Sequence, residues 1–192
     1  MLHTLIQQLR SSSSASALLD VLLDGSLDIT GAAFGNIQIM DWKTGCLEIA
    51  TQRGFNDEFL KFFECVRPAD GSACALALRA RGEVIIDDVA NDRDFSPLSR
   101  TVILAAGVRA VQSTPIISSS GALVGMLSTH FPDVHRPSLD EMNKLKSLAR
   151  IAADATILRR ARQNRYHAVA KTREAIAASR ELLLRIERSG SI

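Results

Sequence analysis

The chain of 192 residues has the length of one domain, or of one domain with a tail, and its 46% of hydrophobic residues can form a substantial core. Its net charge of +2 and its 23% of charged residues argue against a strongly basic nucleic-acid-binding protein and against a largely disordered chain. No apolar run reaches the roughly 18 residues that span a bilayer, so no membrane segment is predicted.

The three cysteines, Cys46, Cys65 and Cys74, are odd in number and show no CxxC spacing. This pattern argues against a disulfide scaffold and against a zinc site. The N-terminus lacks a basic segment followed by an apolar one, so it does not have the form of a secretory signal. The sequence therefore predicts a cytoplasmic protein with reduced thiols.

The first predicted elements are a helix and a β-hairpin. After an N-terminal segment of residues 1–16, leucines recur at helical spacing over residues 17–30, and Gly31 ends the helix. The stretches FGNIQIMD and CLEIATQRG have strand character and are joined by the turn residues 41–45, which predicts the hairpin.

The rest of the chain alternates between short helices and strands, with turn residues between them. The predicted elements are a helix over 56–66, a helix over 73–80, a strand over 83–89, a helix over 98–107, and strands over 109–117 and 122–131. Ser138 and Glu141 resemble a capping box, and the helix that follows contains neither Gly nor Pro up to Ser189. This order predicts an α+β fold with an antiparallel sheet surrounded by helices.

Several segments in this order resemble the GAF family, and the resemblance covers about residues 17–154. They are FGNIQIMD and LEIATQRGF, then DGSAC, VIIDDVANDRDF, AAGVRAVQSTPIISSSGALVGMLSTHF and HRPSLDE. The resemblance implies a six-stranded antiparallel sheet with the first and last helices on one face. It also implies a pocket on the other face, beneath the short middle helices, and a role in sensing.

Polar residues alternate with apolar ones in three strands, and we expect them to share one face of the sheet. A covered polar group without a partner costs about 1–3 kcal/mol, which a bound molecule offsets by pairing with it. The alternative is a sheet face that is exposed or bonded internally. The predicted ligand-binding residues are Gln38, Gln112, Thr114, Ser128 and His130, together with Cys74 at the start of a short helix.

Two of these residues have alternative interpretations. His130 is either a pH-responsive contact or a structural histidine. Cys74 either has a pKa lowered by the helix N-terminus or is a packing cysteine. The acidic stretch from Asp87 to Asp94 lacks the spacing of a calcium-binding loop, so we expect no metal and no cofactor.

Enzyme activity is not expected. One branch of the GAF family reduces free methionine sulfoxide with cysteines, and Cys74 matches one of their positions. The branch's further cysteine has no counterpart in LAAGVRAVQST. Members that attach a bilin commonly carry a Cys-His pair, which is absent here. Asp140-Glu141 matches only the end of the pattern of the cyclic-nucleotide-binding members.

Residues 155–192 are predicted to continue the last helix as a dimeric coiled coil. Apolar residues recur at spacings of three and four, with polar residues in the middle. From Arg150 to Arg188 there are nine Arg and one Lys against four acidic residues, but the arginines surround the helix, so nucleic-acid binding is not expected. The predicted dimer positions are Leu148, Ile151, Ala155, Leu158, Val169, Ile176, Leu183 and Ile186.

The sequence thus predicts a sensory module that binds an unidentified small molecule and passes a signal through a homodimeric helix. The output is expected in a separate partner such as a kinase or a response regulator. Two alternatives remain: a ligand-free module for dimerisation and partner docking, and a cysteine-dependent methionine sulfoxide reductase.

Overall fold

The computed structural model of the chain describes residues 15–189 and, within that range, the side chains of all residues except 15, 16, 155, 159 and 182–189. The helices are α1 (Ala15–Thr30), α2 (Asp57–Phe62), α3 (Ala73–Ala80), α4 (Pro97–Ala105) and α5 (Leu139–Ser189). The strands are β1 (Phe34–Asp41), β2 (Cys46–Arg53), β3 (Cys65–Val66), β4 (Val84–Ile86), β5 (Ala110–Ile117) and β6 (Leu123–Phe131). Among the described helices, none combines the length and the apolar character needed to cross a membrane.

The six strands form one antiparallel sheet in the order β3-β2-β1-β6-β5-β4. This arrangement confirms the predicted α+β architecture with flanking helices and a long C-terminal helix. Two elements differ from the sequence prediction. The helix predicted over 56–66 ends at Phe62, and the residues after it form the two-residue strand β3. The strand predicted over 83–89 has only the three residues of β4.

Side-chain caps fix where the short helices begin. Asn56, Ser72 and Ser96 each accept a hydrogen bond from a backbone N–H in the first turn of α2, α3 and α4, respectively. Before α5, the amide of Glu141 donates to the Ser138 hydroxyl, and the amide of Ser138 donates to the Glu141 carboxylate. The predicted capping box is therefore present, and the helices that cover the sheet have defined start points.

The two faces of the sheet pack against different helices. One face, called here the α1 face, packs against α1 and the first turns of α5. The other face, called the α3 face, packs against α2, α3 and α4. The α1 face has a core of Leu19, Leu22, Leu23, Ile37, Ile116, Val124, Leu127, Leu145, Leu148, Ala149, Ala152 and Ala153. The core of the α3 face includes Met40, Leu47, Phe55, Phe59, Phe63, Cys74, Ala77, Ile86, Ile103, Val111 and Met126.

A disulfide joins Cys46 at the start of β2 to Cys65 at the start of β3. The expectation of reduced thiols is therefore wrong for these two residues. The reason lies in the antiparallel pairing of β2 with β3, which brings two cysteines 19 positions apart in the sequence to a Cα–Cα distance of 5.2 Å. Because β3 was not expected, its pairing with β2 was not expected either.

The described residues up to Thr156 form one compact unit, and those from Ile157 onward form a second. Within the first unit, Leu148 is buried in the core of the α1 face and is not available for a dimer contact. In the second unit, Leu158, Val169 and Ile176 are exposed. The predicted dimer residues Ala155, Leu183 and Ile186 lie outside the described side chains.

Candidate functional site

Three central strands place polar side chains in neighbouring rows on the α3 face. Ser128 of β6 lies opposite Asn36 of β1 on one side and Ser113 of β5 on the other. Gln38 lies one row away, two residues after Asn36, and His130 lies in the row on the opposite side. Together with Cys74 of α3, these five side chains form what we call the polar cluster. None of the six residues is more than 8% exposed.

Cys74 connects the covering helix α3 to the sheet. Its Sγ lies 3.3 Å from the Oγ of Ser128 and 3.6 Å from the Oγ of Ser113. The two hydroxyls are themselves 2.9 Å apart. Burial raises the pKa of the Cys74 thiol above its ordinary value, because its effect outweighs the hydrogen bonds from Ser128, Ser113 and the backbone that lower this pKa. The thiol is a neutral member of a closed hydrogen-bonding triangle.

His130 is enclosed by aromatic rings. The ring of Phe55 lies edge-on to the imidazole at 4.9 Å between centroids, and that of Phe59 at 6.0 Å. Phe55 in turn stacks on Phe59 at 3.8 Å and on Phe34 at 5.5 Å. Burial in these apolar surroundings lowers the pKa of His130 to about 3, so the ring is neutral at physiological pH. A neutral imidazole has one donor and one acceptor nitrogen.

Three members of the polar cluster carry buried atoms that lack a hydrogen-bond partner among the described residues. Both amide atoms of Gln38, both ring nitrogens of His130 and the Oδ1 of Asn36 are buried, and none of them has a partner within the described part of the chain. Buried polar atoms in folded proteins are nearly always paired with protein or water. Unpaired donors and acceptors from neighbouring rows, all beneath the same cover, form a surface suited to pairing with a small polar molecule.

Gln112 and Thr114 do not belong to this cluster, and grouping them with Gln38, Ser128 and His130 was wrong. In β5, it is Ser113 that pairs with Ser128, whereas Gln112 pairs with Thr129. Because alternate residues of a strand point to opposite faces, Gln112 and Thr114 lie on the α1 face. Alternation within each strand was interpreted correctly, but it does not show how the faces of two strands correspond. That information is in the register, which the sequence pattern did not provide.

Asn36 and Ser113 are members of the cluster that were absent from the predicted set. Asn36 lies two residues before Gln38 in β1, so alternation within the strand places both side chains on the same face. Ser113 shares a strand face with Val111 and Pro115, and its role depends on its position opposite Ser128. A register for β5 against β6 was the signal that would have identified it.

The acidic loop after β4 is held by internal interactions. Asp88 pairs with Arg109, with 3.0 Å between Nη2 and Oδ2, and its carboxylate also accepts from the Asn91 side chain. The Arg109 guanidinium lowers the pKa of Asp88 to about 2. Asp87 pairs with Arg136, and Asp92 accepts from two backbone amides of its own loop. These carboxylates stabilise the loop that leads into α4.

A concave surface lies at the edge of the sheet, beside β2 and β3. This edge cleft has a volume of about 630 Å³. Both cysteines of the disulfide contribute to its wall. The lining residues are Thr44, Cys46, Glu48, Ile49, Ala50, Thr51, Gln52, Leu60, Glu64, Cys65 and Arg67.

The family model described as GAF domain matches residues 12–156, which is most of the chain. The chain belongs to the GAF family. No curated protein matches it by sequence. The GAF assignment agrees with the six-stranded antiparallel sheet and the flanking helices described above.

Solved GAF structures have the same fold at low sequence identity. A GAF domain of a phosphoenolpyruvate-protein phosphotransferase from Coxiella burnetii is 16% identical with a TM-score of 0.72, covering 85% of this chain and 94% of that one. A domain of a putative two-component sensor histidine kinase from Sinorhizobium meliloti is 18% identical with a TM-score of 0.67, covering 81% and 99%. A free methionine-R-sulfoxide reductase from Neisseria meningitidis, solved with its substrate, is 15% identical with a TM-score of 0.63, covering 82% and 88%.

Proposed function

We propose that the polar cluster binds a small uncharged molecule and that this GAF module acts as a sensor. GAF domains generally have sensory or ligand-binding roles. The observation that carries the proposal is the group of unpaired buried atoms on Asn36, Gln38 and His130. Each unpaired group costs about 1–3 kcal/mol, so a molecule that pairs with several of them gains a large free energy from this one surface.

The composition of the site indicates the class of ligand. The buried polar residues of the described chain are Ser, Thr, Asn, Gln and His, without a buried Lys, Arg, Asp or Glu. A charged ligand would leave its own charge uncompensated here. A ligand with a flat apolar surface can pack against the rings of Phe34, Phe55 and Phe59. The side chain of Gln38 offers the ligand both a hydrogen-bond donor and an acceptor. We therefore expect a neutral, planar molecule with adjacent donor and acceptor groups, such as a nucleobase-like heterocycle or an aromatic amide.

A signal requires a ligand that binds one state of the protein more tightly than another. Cys74 ties α3 directly to the strands of the polar cluster, so a ligand that displaces this cover shifts α3 relative to β5 and β6.

We propose that the second unit, from Ile157 onward, pairs with the same segment of a second copy. Its exposed Leu158, Val169 and Ile176 fall on the three-four repeat of a coiled coil. The output then lies in a separate kinase or response regulator.

A ligand-free docking module is the second candidate. The triangle of Cys74, Ser113 and Ser128 favours it, because these three side chains already satisfy one another within the cover. We propose binding without catalysis in either case. Cys46 and Cys65 are bonded to each other, so neither is a free thiol available to assist Cys74 in sulfoxide reduction.

Two buried glutamines on opposite faces of the sheet provide the decisive experiment. Gln38 and Gln112 are both 1% exposed and both unpaired, but only Gln38 lies on the α3 face. Native mass spectrometry and thermal-shift screening with neutral heterocycles and aromatic amides would identify a bound compound. We expect Gln38→Leu to abolish its binding and Gln112→Leu to retain it. Equal binding by both variants would reject the polar cluster as the site, and the absence of any bound or stabilising compound would favour the docking module.

A further inference from the structure

The Cys46–Cys65 disulfide links the edge strand β3 to β2, and the pairing between these two strands is the shortest in the sheet. Strand β3 pairs with β2 through only two residue pairs, Leu47 with Val66 and Glu48 with Cys65. The disulfide reaches diagonally from Cys65 to the first residue of β2. It is therefore the covalent part of an attachment that otherwise consists of a very short strand pairing and the burial of Val66.

The two cysteines differ in exposure, although both line the edge cleft. Cys46 is 1% exposed, whereas Cys65 is only partly buried. A thiolate must approach a disulfide sulfur directly in order to react with it. Cys65 is thus the sulfur that a small thiol entering the cleft reaches first, and Cys46 is positioned as the leaving group.

The segment that precedes β3 also forms part of the cover of the α3 face. Helix α2 carries Phe59, which packs beside His130, and Phe63 follows it and packs on Phe59. Cleavage of the disulfide would leave this segment attached at its β3 end by the two residue pairs and by the packing of Val66 in the core. The state of the disulfide is therefore linked physically to the stability of the cover.

We propose that the edge cleft is a thiol-disulfide exchange site at which a small dithiol reduces Cys46–Cys65 in the folded protein. A thiolate of the dithiol attacks Sγ of Cys65, the Cys46–Cys65 bond breaks, and Cys46 leaves as a thiolate that takes a proton from water. The second thiolate of the dithiol then attacks the mixed disulfide and releases Cys65, which is also protonated. The dithiol loses two electrons and becomes a cyclic disulfide, and the protein gains two electrons and two protons.

The charges of the cleft indicate which thiols react best. Glu48 lies opposite Cys65 in the ladder, and Glu64 precedes it in the chain, whereas Arg67 is the one cation among the lining residues. An anionic thiol meets a net repulsion here, and a cationic thiol meets a net attraction that salt screens. The rate of each thiol with the protein is divided by the rate of the same thiol with a neutral small-molecule disulfide, which corrects for intrinsic reactivity. At low ionic strength we expect the corrected rate of cysteamine to be several-fold higher than that of 3-mercaptopropionate. Equal corrected rates would reject the cleft as the route of attack.

The main test uses two matched single-cysteine changes. In Cys46→Ser the free thiol is Cys65, and in Cys65→Ser it is Cys46, while Cys74 stays buried in both. We expect a disulfide reagent to label Cys65 at least 10-fold faster than Cys46 in the folded proteins, with Cys74 slower than Cys65. Similar rates for Cys65 and Cys46, or a faster Cys46, would overturn the assignment of Cys65 as the attacked sulfur.

The unmodified protein tests whether exchange occurs without unfolding. Titration with dithiothreitol, alkylation and intact mass should reveal two new thiols under conditions in which circular dichroism shows the fold to be retained. We expect hydrogen exchange in residues 55–66 to increase on reduction. A disulfide that is reduced only after urea unfolds the chain would make the bond purely structural. None of these readouts involves the ligand, so the exchange proposal and the proposed function fail independently.

Discussion

The sulfur of Cys74 lies 3.3 Å from the hydroxyl of Ser128, which ties the first turn of α3 to the middle of β6. Through Ser113 the same contact reaches β5. The polar cluster therefore has a closed half, in which the cover and the sheet satisfy each other, and an open half around Gln38 and His130. The closed half keeps the cover in place, and the open half provides the groups that a ligand can use.

Replacing either buried glutamine with leucine should stabilise the ligand-free protein. Leucine has a similar volume and no polar atoms, so Gln38→Leu and Gln112→Leu each remove two unpaired groups. We expect the free energy of unfolding to rise by about 1–3 kcal/mol in each variant. Urea denaturation followed by circular dichroism measures this change. A loss of stability of the same size would show that the amide atoms are paired in solution.

His130 should make the folded state sensitive to mild acid. The pKa of His130 is about 3 in the folded protein and near 6.5 when the chain is unfolded, so between these values the unfolded state binds more protons. Stability is then complete above pH 6.5 and falls as the pH drops toward 3. At pH 5 the expected loss is about 2 kcal/mol relative to neutral pH.

The variant His130→Phe tests this prediction. Denaturation at pH 7 and at pH 5 should show a smaller loss in the variant than in the unmodified protein. His167, which is exposed on α5, provides the control His167→Phe for the loss of a histidine. An unchanged pH dependence in His130→Phe would mean that another group is responsible.

Gly125 should tolerate no side chain. A Cβ at this position would lie 2.3 Å from the carbonyl oxygen of Gln38, a backbone atom of the neighbouring strand. We expect Gly125→Ala to lower the free energy of unfolding by about 1–3 kcal/mol or more, because β1 and β6 must separate to admit the methyl group. At Gly82 the nearest atom to an added Cβ is 3.7 Å away, so Gly82→Ala serves as the tolerated control. Similar unfolding midpoints for the two variants would contradict this prediction.

The exposed apolar residues of the second unit should hold two chains together. Ile176 is 50% exposed and occupies the same repeat position as Val169, seven residues before it. We expect Ile176→Lys to raise the dissociation constant of the dimer at least 10-fold, since it places charge in the apolar seam. Ala177→Lys adds the same charge at the next position, outside the seam, and should leave the dimer intact. Analytical ultracentrifugation distinguishes monomer from dimer in each variant. An unmodified chain that sediments as a monomer would reject the coiled coil.

Much of the architecture could be predicted because local chemistry determines it. The leucines of α1, the turn that ends at Gly45 and the pair Ser138 and Glu141 each have a short-range signature, and the structure contains the helix, hairpin and cap that they predict. The family resemblance implied six strands, but the sequence pattern assigned residues to only five of them, and β3 is the sixth.

The errors concern contacts between distant parts of the chain. Strand β3 has two residues, too few for any periodic signal, and with it the Cys46–Cys65 disulfide was missed. Gln112 was placed on the wrong face because alternation fixes relative positions within β5 but not its register against β6. In both cases the missing information was a strand pairing.

The polar residues at the centre of β5 affect how the register of this strand in the sheet is determined. Gln112, Ser113 and Thr114 are all buried, and they point alternately to the two faces. If β5 shifted by one residue along β6, the polar side chains at its centre would change faces, and each face would still receive polar side chains there. The shift would therefore cost little apolar burial at the centre of the strand. Apolar burial therefore fixes the alignment of β5 only near its ends, where Val111 and Ile116 enter opposite cores, and at the centre the alignment rests on the hydrogen bonds of Ser113.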